Sequence, residues 1–293
     1  MNKDLTIVFS SYQSQNLLKQ ILKAINTYKV IIIENSCDSL IKKNLEKEFN
    51  NVEVVIPDKN LGLAKSYNIG IDKAKTKYVF LNNPDIKISN ETITNLLSCA
   101  KKVEKFGIIS PTYKDEKIFK NYEIFKNSIE NKSQIEKDFN LKEVDLIDNN
   151  FLINKHIIGD NRFDENFFLF FETFDFSLNL KRMGKKIFVS DTLKFHHAGS
   201  SSLPASYDFF VRKTRSFHFN WGKFYYYRKN YNYFYALKKI IPNLIKSIKK
   251  ILFFLLKFDF KNLLLGYLEF IGIVSAMFFF KSFYRPNNSL PHN

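Results

Sequence analysis

Short apolar runs that end in polar residues constrain this chain more than any other feature of its sequence. The runs are rich in β-branched and aromatic side chains, and apolar residues at helical spacing follow most of them. This alternation predicts an α/β fold, in which helices cover both faces of a mostly parallel sheet. Residues 113–148 are polar and give no assignable pattern. The predicted strands are residues 5–9, 30–33, 52–56, 78–81, 108–109 and 187–189, and the predicted helices are residues 17–25, 40–49, 63–74, 89–106 and 172–183.

Polar segments follow four of the predicted strands. In a parallel sheet the carboxyl ends of the strands meet along one edge, and ligands bind just beyond that edge. We therefore expect a ligand site in this region of the fold. The polar segments that would form it are residues 10–11, 34–38, 57–62 and 82–85.

The segment Asn83-Pro84-Asp85 places a carboxylate directly after the fourth predicted strand. Such a carboxylate can hold a divalent cation that also binds phosphate oxygens, and Mg²⁺ and Mn²⁺ both prefer hard oxygen ligands. The same three residues are a common turn composition, so an ordinary turn is the alternative. Asp85 is thus a candidate metal ligand.

Gly62 follows Asn60 and Leu61 at the start of the third predicted helix. A glycine at this position allows close approach to the backbone, and the N-terminus of a helix favours an anion. Ordinary punctuation between a strand and a helix is the alternative. The sequence contains neither GxGxxG nor GxxxxGK[ST], so the usual dinucleotide-binding and P-loop signatures are absent.

Four polar residues of the fifth predicted helix lie on one stripe, because spacings of three, four and three residues match the helical repeat. Burial among aromatic neighbours can raise the pKa of a carboxylate on this stripe into the range of a general base. A solvated amphipathic face is the alternative. The four residues are Glu172, Asp175, Asn179 and Arg182.

His196 and His197 stand before a Gly-Ser-Ser-Ser segment at residues 199–202. A neutral imidazole can complete the ligand shell of a metal. Side chains alternate between the two faces of a strand, so we expect at most one of the pair to be a ligand. A purely structural pair is the alternative.

The order of these motifs along the chain is more specific than any single motif. The segments in question are TIVFSSY at 6–12, IENS at 33–36, NLG at 60–62, NIG at 68–70, LNNPD at 81–85, FDENFF at 163–168, ETFDF at 172–176 and His196. This series resembles the family 2 glycosyltransferases of GT-A fold, particularly their rhamnosyltransferase-like branch, over roughly residues 4–202. The ending Phe283-Tyr284-Arg285-Pro286 resembles that branch as well.

The resemblance implies an inverting transferase that takes a sugar, with rhamnose as the candidate, from a nucleotide-sugar linked to dTDP, UDP or GDP. The acceptor would be a hydroxyl of a glycan or a lipid-linked molecule in cell-surface polysaccharide synthesis. Mg²⁺ or Mn²⁺ would neutralise the leaving diphosphate. A carboxylate would deprotonate the acceptor hydroxyl, and in-line positioning of the reactants would supply the rest of the rate.

The resemblance also assigns roles to individual residues. Asp85 would hold the metal on the diphosphate, and His196 would be a further contact to the metal or the diphosphate. Glu172 and Asp175 would lie where the acceptor hydroxyl is deprotonated. The residues implied in nucleotide-sugar binding are Ser10, Glu34, Asn60, Gly62 and Asn83.

Two departures from the family pattern affect the expected donor and acceptor pockets. The metal-binding triplet begins with Asn83 instead of Asp, which leaves Asp85 as its one carboxylate. This composition fits weak metal binding that is assisted by the substrate. Asn149 and Asn150 stand where relatives often carry Gly or Ala, so the resemblance does not define the shape of the acceptor pocket.

A third departure concerns the general base. Thr173 occupies the place where the family usually has the acidic base, and a hydroxyl cannot act as a base at neutral pH. Glu172 is our preferred base because it is adjacent to that place, and Asp175 is the second candidate. A catalytically impaired relative that acts as a scaffold or sugar-binding subunit is the alternative function.

The last third of the chain differs in composition from the rest. Residues 203–293 contain 15 Lys or Arg against three Asp or Glu, and they hold 25 of the 48 aromatic residues. Such a segment is attracted to phosphate, either on lipid head groups or on nucleic acid. We therefore expect a catalytic, nucleotide-sugar-binding domain at residues 1–202 and a basic, aromatic, helical region at residues 203–293.

Two apolar stretches of this region favour a membrane over RNA as its partner. Residues 237–256 mix Lys with Ile and Leu, as in a helix that lies in the bilayer interface. Residues 263–280 reach the lower limit of a membrane-spanning length, but Glu269 within them is costly in lipid, which favours an in-plane helix. Long Leu, Ile and Phe runs argue against nucleic-acid binding. The expected location is an anionic membrane surface on the cytoplasmic face, and Cys37 and Cys99 fit a reducing compartment.

Overall fold

The computed structural model describes residues 2–103, 105–113, 120–125, 138–197 and 208–285, without the side chains of His196 and His197. The described residues divide into two compact units. The first unit comprises Met1–Leu61, Lys65–Phe163 and Phe176–Ser202, and the second comprises Gly62–Ala64, Asp164–Asp175 and Leu203–Asn293, each in its described part. The predicted domain boundary between residues 202 and 203 lies outside the described residues and stays a prediction.

Strands make up the centre of the first unit. Each predicted strand is present there, and most extend one or more residues beyond the predicted bounds. The strands in the described part are β1 Leu5–Ser11, β2 Lys29–Glu34, β3 Val52–Val55, β4 Tyr78–Asn82, β5 Ile86–Lys87, β6 Ile108–Tyr113, β7 Tyr122–Glu123, β8 Leu141–Glu143, β9 Leu146–Ile147, β10 Phe151–Asn154 and β11 Ile187–His197.

Nine of these described strands form one sheet in the order β3-β2-β1-β4-β10-β6-β11-β5, with β8 beside β11. Strands β1 to β4 run parallel to one another, as do β6 and β11. Strand β10 runs antiparallel between β4 and β6. The expectation of a mostly parallel α/β sheet is confirmed, whereas the sequence pattern did not predict β10.

The register of the sheet places the carboxyl ends of three neighbouring strands side by side. Ser11 lies opposite Glu34 between β1 and β2, and Phe9 lies opposite Asn82 between β1 and β4. The polar segments that follow β1, β2 and β4 therefore begin at the same edge of the sheet, as the sequence predicts.

Helices cover both faces of the sheet. One further helix takes up the whole of Asp208–Asn230. Asp38, Asn232 and Asp259 each accept a backbone N–H at a helix start, which satisfies a donor that the helix leaves unpaired. The helices in the described part are α1 Gln15–Ala24, α2 Ser39–Glu48, α3 Gly62–Lys73, α4 Asn90–Val103, α5 Lys155–Ile158, α6 Glu172–Arg182, α7 Asp208–Asn230, α8 Tyr233–Leu256 and α9 Phe260–Met277.

Side chains of β1 alternate between the two faces of the sheet, because successive residues of a strand point in opposite directions. Leu5, Ile7 and Phe9 are buried in a cluster with apolar residues of α1, α2 and α4. Val8 lies against α3 on the opposite face. A Cβ atom on Gly70 would come within 2.2 Å of Val8 Cγ1, so the packing of α3 on β1 requires glycine at residue 70.

The three long helices of the second unit pack against one another. The Arg228 guanidinium of α7 donates to the Ala276 carbonyl of α9 over 3.1 Å. A Cβ atom on Gly272 would come within 2.5 Å of the Phe217 carbonyl oxygen, so glycine allows the backbones of α7 and α9 to approach closely. These contacts make α9 part of a helical bundle.

Glu269, the acid within the apolar run, has a partner in this bundle. Its Oε1 lies 2.6 Å from Nζ of Lys250 on α8. Among the described residues, α9 is the one helix whose length and composition would allow it to cross a membrane, and 39% of this stretch is buried within the protein. The in-plane arrangement of this segment stays a prediction.

His218 of α7 is a buried, neutral histidine. Its ring stacks on Phe168 with 4.5 Å between the ring centroids. Nε2 donates to the Tyr284 carbonyl at 2.8 Å, so Nδ1 accepts from the Ser282 hydroxyl at 3.0 Å. Burial, together with the nearby guanidinium of Arg285, lowers the pKa of His218 to about 3.

This histidine should make the protein less stable in mild acid. Between pH 6.5 and pH 3 the unfolded chain binds a proton at His218 that the folded chain does not, so the free energy of unfolding falls as the pH falls. From pH 7 to pH 5 we expect a loss of about 2 kcal/mol from this residue. Urea unfolding of His218→Gln at both pH values measures it, because the variant should lack this part of the pH dependence. His156→Gln, at an exposed histidine, is the matched control, and an equal pH dependence in wild type and His218→Gln would contradict the account.

Candidate active site

Asn35 joins three segments at the carboxyl edge of the sheet. Its Nδ2 donates to the hydroxyl of Ser10 at 3.2 Å and to that of Ser66 at 2.9 Å. Its Oδ1 accepts the backbone N–H of Leu61 at 3.0 Å. The side chain thus holds the predicted nucleotide-binding residue Ser10 and the segment that contains Asn60. Asn35 was not among the predicted site residues, since its role depends on partners 25 to 31 residues away.

Glu34 ends β2 with a fully buried carboxylate. Oε1 accepts the backbone N–H groups of Gln13 and Ser36, each at 3.0 Å. Oε2 is buried and has no hydrogen-bond partner among the described residues. A buried carboxylate oxygen without a partner is unfavourable unless a ligand supplies a donor. The geometry of Glu34 therefore fits its predicted place in a nucleotide pocket.

The turn at Asn83-Pro84-Asp85 is supported by buried side chains. Tyr67 donates its hydroxyl to Asn83 Oδ1 at 2.8 Å. Asn150 Oδ1 accepts the backbone N–H of Asn83 at 2.9 Å. Asn83 is an amide whose Oδ1 already accepts from the protein, and Asp85 is the residue of this triplet that can offer a carboxylate to a metal. The turn and the metal-ligand interpretations are therefore compatible.

Asn150 itself has a positive φ of 55°, a conformation that asparagine adopts more readily than most residues. Its Nδ2 donates to the hydroxyl of Tyr113 at 2.7 Å. Burial raises the pKa of Tyr113 well above its ordinary value, and the Asn150 hydrogen bond opposes that shift. Asn150, which the sequence linked to the acceptor pocket, thus supports the turn that contains Asp85.

Strand β11 brings the backbone of the histidine pair next to the segment that follows Asp85. His197 lies opposite Ile86 and His196 lies opposite Lys87 in the antiparallel pairing of β11 with β5. The side chains of both histidines and residues 199–202 lie outside the described residues. The role of His196 stays a prediction, and its backbone position is compatible with it.

The donor set of the first unit fits a cation that shares its ligands with a substrate. No group of three or more His, Cys, Asp or Glu residues forms a metal site within the described residues. Asp85 is half-buried and offers one hard oxygen ligand. Mg²⁺ and Mn²⁺ are commonly held by one or two carboxylates together with substrate phosphates. The residues present therefore fit such a cation.

Gly62 begins α3 with a positive φ of 77°. A Cβ atom on it would come within 2.3 Å of the Phe168 carbonyl oxygen, and that oxygen accepts the N–H of Leu63 at 2.8 Å. Glycine at this position thus allows one protein segment to approach another. The predicted ligand contact of Gly62 has no counterpart in these contacts and stays a prediction.

Helix α6 buries the candidate bases in its first turn. Glu172, Thr173 and Asp175 are 2%, 1% and 3% exposed, whereas Asn179 and Arg182 are exposed. The alternative of a solvated face is therefore wrong for the first turn and right for the last. The predicted stripe divides into a buried acidic part and a surface part.

The two candidate carboxylates differ in their surroundings. Asp175 Oδ2 lies 2.7 Å from Lys229 Nζ, and Asp175 Oδ1 accepts from Asn230 Nδ2 at 2.8 Å. Both oxygens of Asp175 are thus engaged by α7, which is the arrangement of a structural ion pair. Glu172 is buried at the N-terminal end of α6, one turn before Asp175.

The sequence model named Glycosyl transferase family 2 matches residues 6–161, which is more than half of the chain. The chain belongs to glycosyl transferase family 2. The matched residues include each site residue of β1, β2 and β4 and the turn at Asp85. Among curated proteins, none matches this family 2 chain.

Solved structures of glycosyltransferases share the GT-A fold with this family 2 protein. A mannosyltransferase of Pyrobaculum calidifontis in complex with GDP-Man and Mn²⁺ has a TM-score of 0.54 and 11% identity, with 94% of this chain and 88% of that chain covered. GalNAc-T7 with UDP, GalNAc and Mn²⁺ has a TM-score of 0.54 and 12% identity, with 78% of this chain and 51% of that chain covered. Residues 1–349 of S. aureus TarS have a TM-score of 0.52 and 13% identity, with 93% of this chain and 90% of that chain covered.

The chain spans 39% of the length of a longer S. aureus TarS structure and 51% of GalNAc-T7. At such low identities these likenesses show the fold of the chain. The expected GT-A fold is therefore confirmed, and the expected family is confirmed by the sequence model.

Proposed function

We propose that this family 2 protein is an inverting, metal-dependent glycosyltransferase that transfers a sugar from a nucleotide-sugar to an acceptor hydroxyl. The observation that carries the proposal is the buried carboxylate of Glu34, with one unpartnered oxygen at the sheet edge where Ser10 and the Asp85 turn are also held. The P. calidifontis mannosyltransferase binds GDP-Man and Mn²⁺, and GalNAc-T7 binds UDP and Mn²⁺. These ligands support a nucleotide-sugar donor here.

The proposed reaction forms a bond between the acceptor oxygen and the anomeric carbon while the bond from that carbon to the diphosphate breaks. Asp85 and His196 would hold Mg²⁺ or Mn²⁺, which when bound neutralises charge on the leaving diphosphate. Glu34, Ser10 and Asn60 bind and orient the nucleotide. Attack from the face opposite the diphosphate inverts the configuration of the sugar.

Glu172 is the proposed general base, which takes the proton from the acceptor hydroxyl. Its carboxylate is buried at the start of α6, on the helix where the family resemblance places deprotonation of the acceptor hydroxyl. Asp175 is less suited because Lys229 and Asn230 occupy both of its oxygens. The Thr173 hydroxyl cannot accept the proton at neutral pH.

The donor class can be tested by thermal shift. A ligand that binds the folded protein at one hundred times its Kd stabilises it by about 2.7 kcal/mol. We expect one of the dTDP-, UDP- or GDP-linked sugars to raise Tm in the presence of Mn²⁺, and the rise to disappear with EDTA. Rhamnose is our proposed sugar, on the resemblance to the rhamnosyltransferase-like branch. No shift with any of these donors would contradict the proposal.

A scaffold or sugar-binding subunit is the second candidate function. Thr173 favours it, because the usual acidic base is missing from that position. Such a protein would still bind a nucleotide-sugar or a glycan but would transfer nothing. Turnover with lipid-linked acceptors therefore separates the two functions.

We further propose that α8 attaches this transferase to an anionic membrane on the cytoplasmic face. An exposed apolar stripe runs along α8 at helical spacing, with each of its side chains 41 to 56% exposed. Six lysines lie beside the stripe or within one turn of its end. The stripe comprises Ile241, Ile245, Ile248, Leu252 and Leu255, and the lysines are Lys238, Lys239, Lys246, Lys249, Lys250 and Lys257.

Binding to vesicles should depend on both charge and apolar surface. Basic residues near an anionic surface contribute roughly 1 kcal/mol each, and salt screens that part. Ile245→Glu/Leu252→Glu should weaken binding to phosphatidylglycerol vesicles by more than about tenfold in a flotation assay, since each lost side chain contributes about 1.5–3 kcal/mol when buried. Leu40→Glu, at an exposed position of α2, is the matched control.

High salt should release only part of the bound protein, and alkaline carbonate should release an in-plane helix. Resistance to carbonate would contradict the in-plane arrangement. Equal flotation of the double variant and wild type would contradict the α8 surface. Binding to RNA instead of vesicles, with a steep salt dependence, would place the basic region in the nucleic-acid class.

A further inference from the structure

Two strained residues directly precede the proposed base. Phe170 and Phe171 have φ values of 71° and 69°, in the left-handed region that bulky residues rarely adopt. Such a conformation persists only where the surroundings hold it, and it is concentrated at functional sites. The backbone that leads into Glu172 is therefore held by neighbouring groups of the second unit.

One face of α7 supplies those groups. The ring of Phe171 lies 5.4 Å from that of Phe219 and 5.7 Å from that of Tyr226. A Cβ atom on Gly222 would come within 3.1 Å of the Phe170 carbonyl oxygen, so the strained turn lies directly against the α7 backbone. Phe219, Gly222 and Tyr226 follow at three- and four-residue steps, which puts them on one side of the helix.

Lys229 continues the same face by three residues and joins both ends of the segment Asp164–Asp175. Its Nζ lies 2.8 Å from Asp164 Oδ2 and 2.7 Å from Asp175 Oδ2. Burial by itself lowers the pKa of Lys229, but its hydrogen bonds to the two carboxylates outweigh burial and raise it. Tyr225 and Asn230 add hydrogen bonds of 2.9 Å to Asp164 and 2.8 Å to Asp175.

We infer that Lys229 is a positioning residue for catalysis, which fixes Glu172 by holding the first turn of α6 and the loop before it in one arrangement. Along the chain, Glu172 lies between Asp164 and Asp175, whose carboxylates Lys229 joins, and it is one turn before Asp175 on α6. The inference rests on the proposed function, because it concerns the placement of the proposed base. It makes α7 a part of the catalytic apparatus as well as of the basic region.

Lys229→Met should lower kcat by about 10²-fold, the effect of misplacing a reacting group by about 1 Å. The KM for the nucleotide-sugar should change less than threefold, and the thermal shift produced by the donor should persist. Lys229→Arg keeps the charge and should restore at least a tenth of the activity. Lys223→Met is the matched control, because this α7 lysine donates to Asn243 Oδ1 at 2.8 Å and contacts no carboxylate within 4.0 Å among the described residues.

A double-mutant cycle separates positioning from a general loss of structure. If Lys229 acts through Asp175, the pair Lys229→Met/Asp175→Asn should lose little more activity than the stronger single variant. Asn230→Ala removes the hydrogen bonds to Asp175 Oδ1 and to the Tyr226 carbonyl without leaving an unpaired charge, so it serves if Lys229→Met does not fold. It should lower kcat by about tenfold and leave donor binding unchanged.

Unchanged kcat in both Lys229→Met and Asn230→Ala would overturn the inference, as would effects of Lys229 and Asp175 that simply multiply. A fall of kcat that the Lys223→Met control shares would also overturn it. If wild type transfers no sugar, the proposed function fails instead. In that case donor binding and unfolding of the same variants still show whether Lys229 couples to Asp175.

Discussion

Asp85→Ala should abolish sugar transfer. Asp85 is the one carboxylate of its triplet, because Asn83 is an amide, and the Asn83 Oδ1 already accepts the Tyr67 hydroxyl. Without a cation on the diphosphate, the leaving group would carry its charge unneutralised. We expect turnover below detection, and we expect the metal-dependent part of the thermal shift by nucleoside diphosphate to vanish.

The matched control for this prediction is Asp72→Ala. Asp72 pairs with Arg162 at 2.8 Å with its side chain 59% exposed, and such surface pairs contribute little to stability. This variant should keep wild-type turnover and the wild-type response to Mn²⁺. Full activity of Asp85→Ala, measured beside it, would remove Asp85 from the metal site.

Glu172→Gln should lower kcat by about 10²-fold or more, the size expected when general-base catalysis is lost. Glutamine keeps the shape of the side chain but cannot take a proton, so donor binding should change little. The acidic limb of the kcat–pH profile should disappear in this variant, because that limb reports the protonation of the base.

Asp175→Asn is the comparison that tests the choice between the two carboxylates. It removes the ion pair with Lys229 and should lower stability and kcat, but it should retain the acidic limb of the pH profile. If that limb is lost in Asp175→Asn and kept in Glu172→Gln, then Asp175 is the base. If neither substitution affects kcat, the first turn of α6 is structural and the scaffold function is favoured.

The sequence was sufficient to predict most of the sheet because its strands are short apolar runs with polar ends. β1, β2 and β4 are nearly continuous in Ile, Val, Leu and Phe, as expected for strands buried on both faces. Strand β10 has only four residues and follows a polar stretch, so its periodicity is too short to detect. Its antiparallel insertion between β4 and β6 depends on tertiary packing.

Site residues at strand ends were predictable in place but only partly in role. Asp85 and Glu34 lie at the expected edge, since the parallel pairing places the carboxyl ends of β1, β2 and β4 side by side. Gly62 serves a contact with Phe168, more than 100 residues away, which spacing alone does not indicate. The ion pair of Asp175 with Lys229 joins residues 54 positions apart, and it could not be derived from the pattern of either helix.

The most direct test of the central claim is turnover by residues 1–293 on phosphatidylglycerol vesicles. The assay contains Mn²⁺, lipid-linked glycan acceptors and a panel of dTDP-, UDP- and GDP-sugars. The glycosylated acceptor would be measured by mass spectrometry, and the released nucleoside diphosphate would be measured in the same reaction. We expect one donor to give equal amounts of both products, with an inverted anomeric configuration by NMR. Binding of donors without any glycosylated acceptor would contradict the account and identify a sugar-binding scaffold.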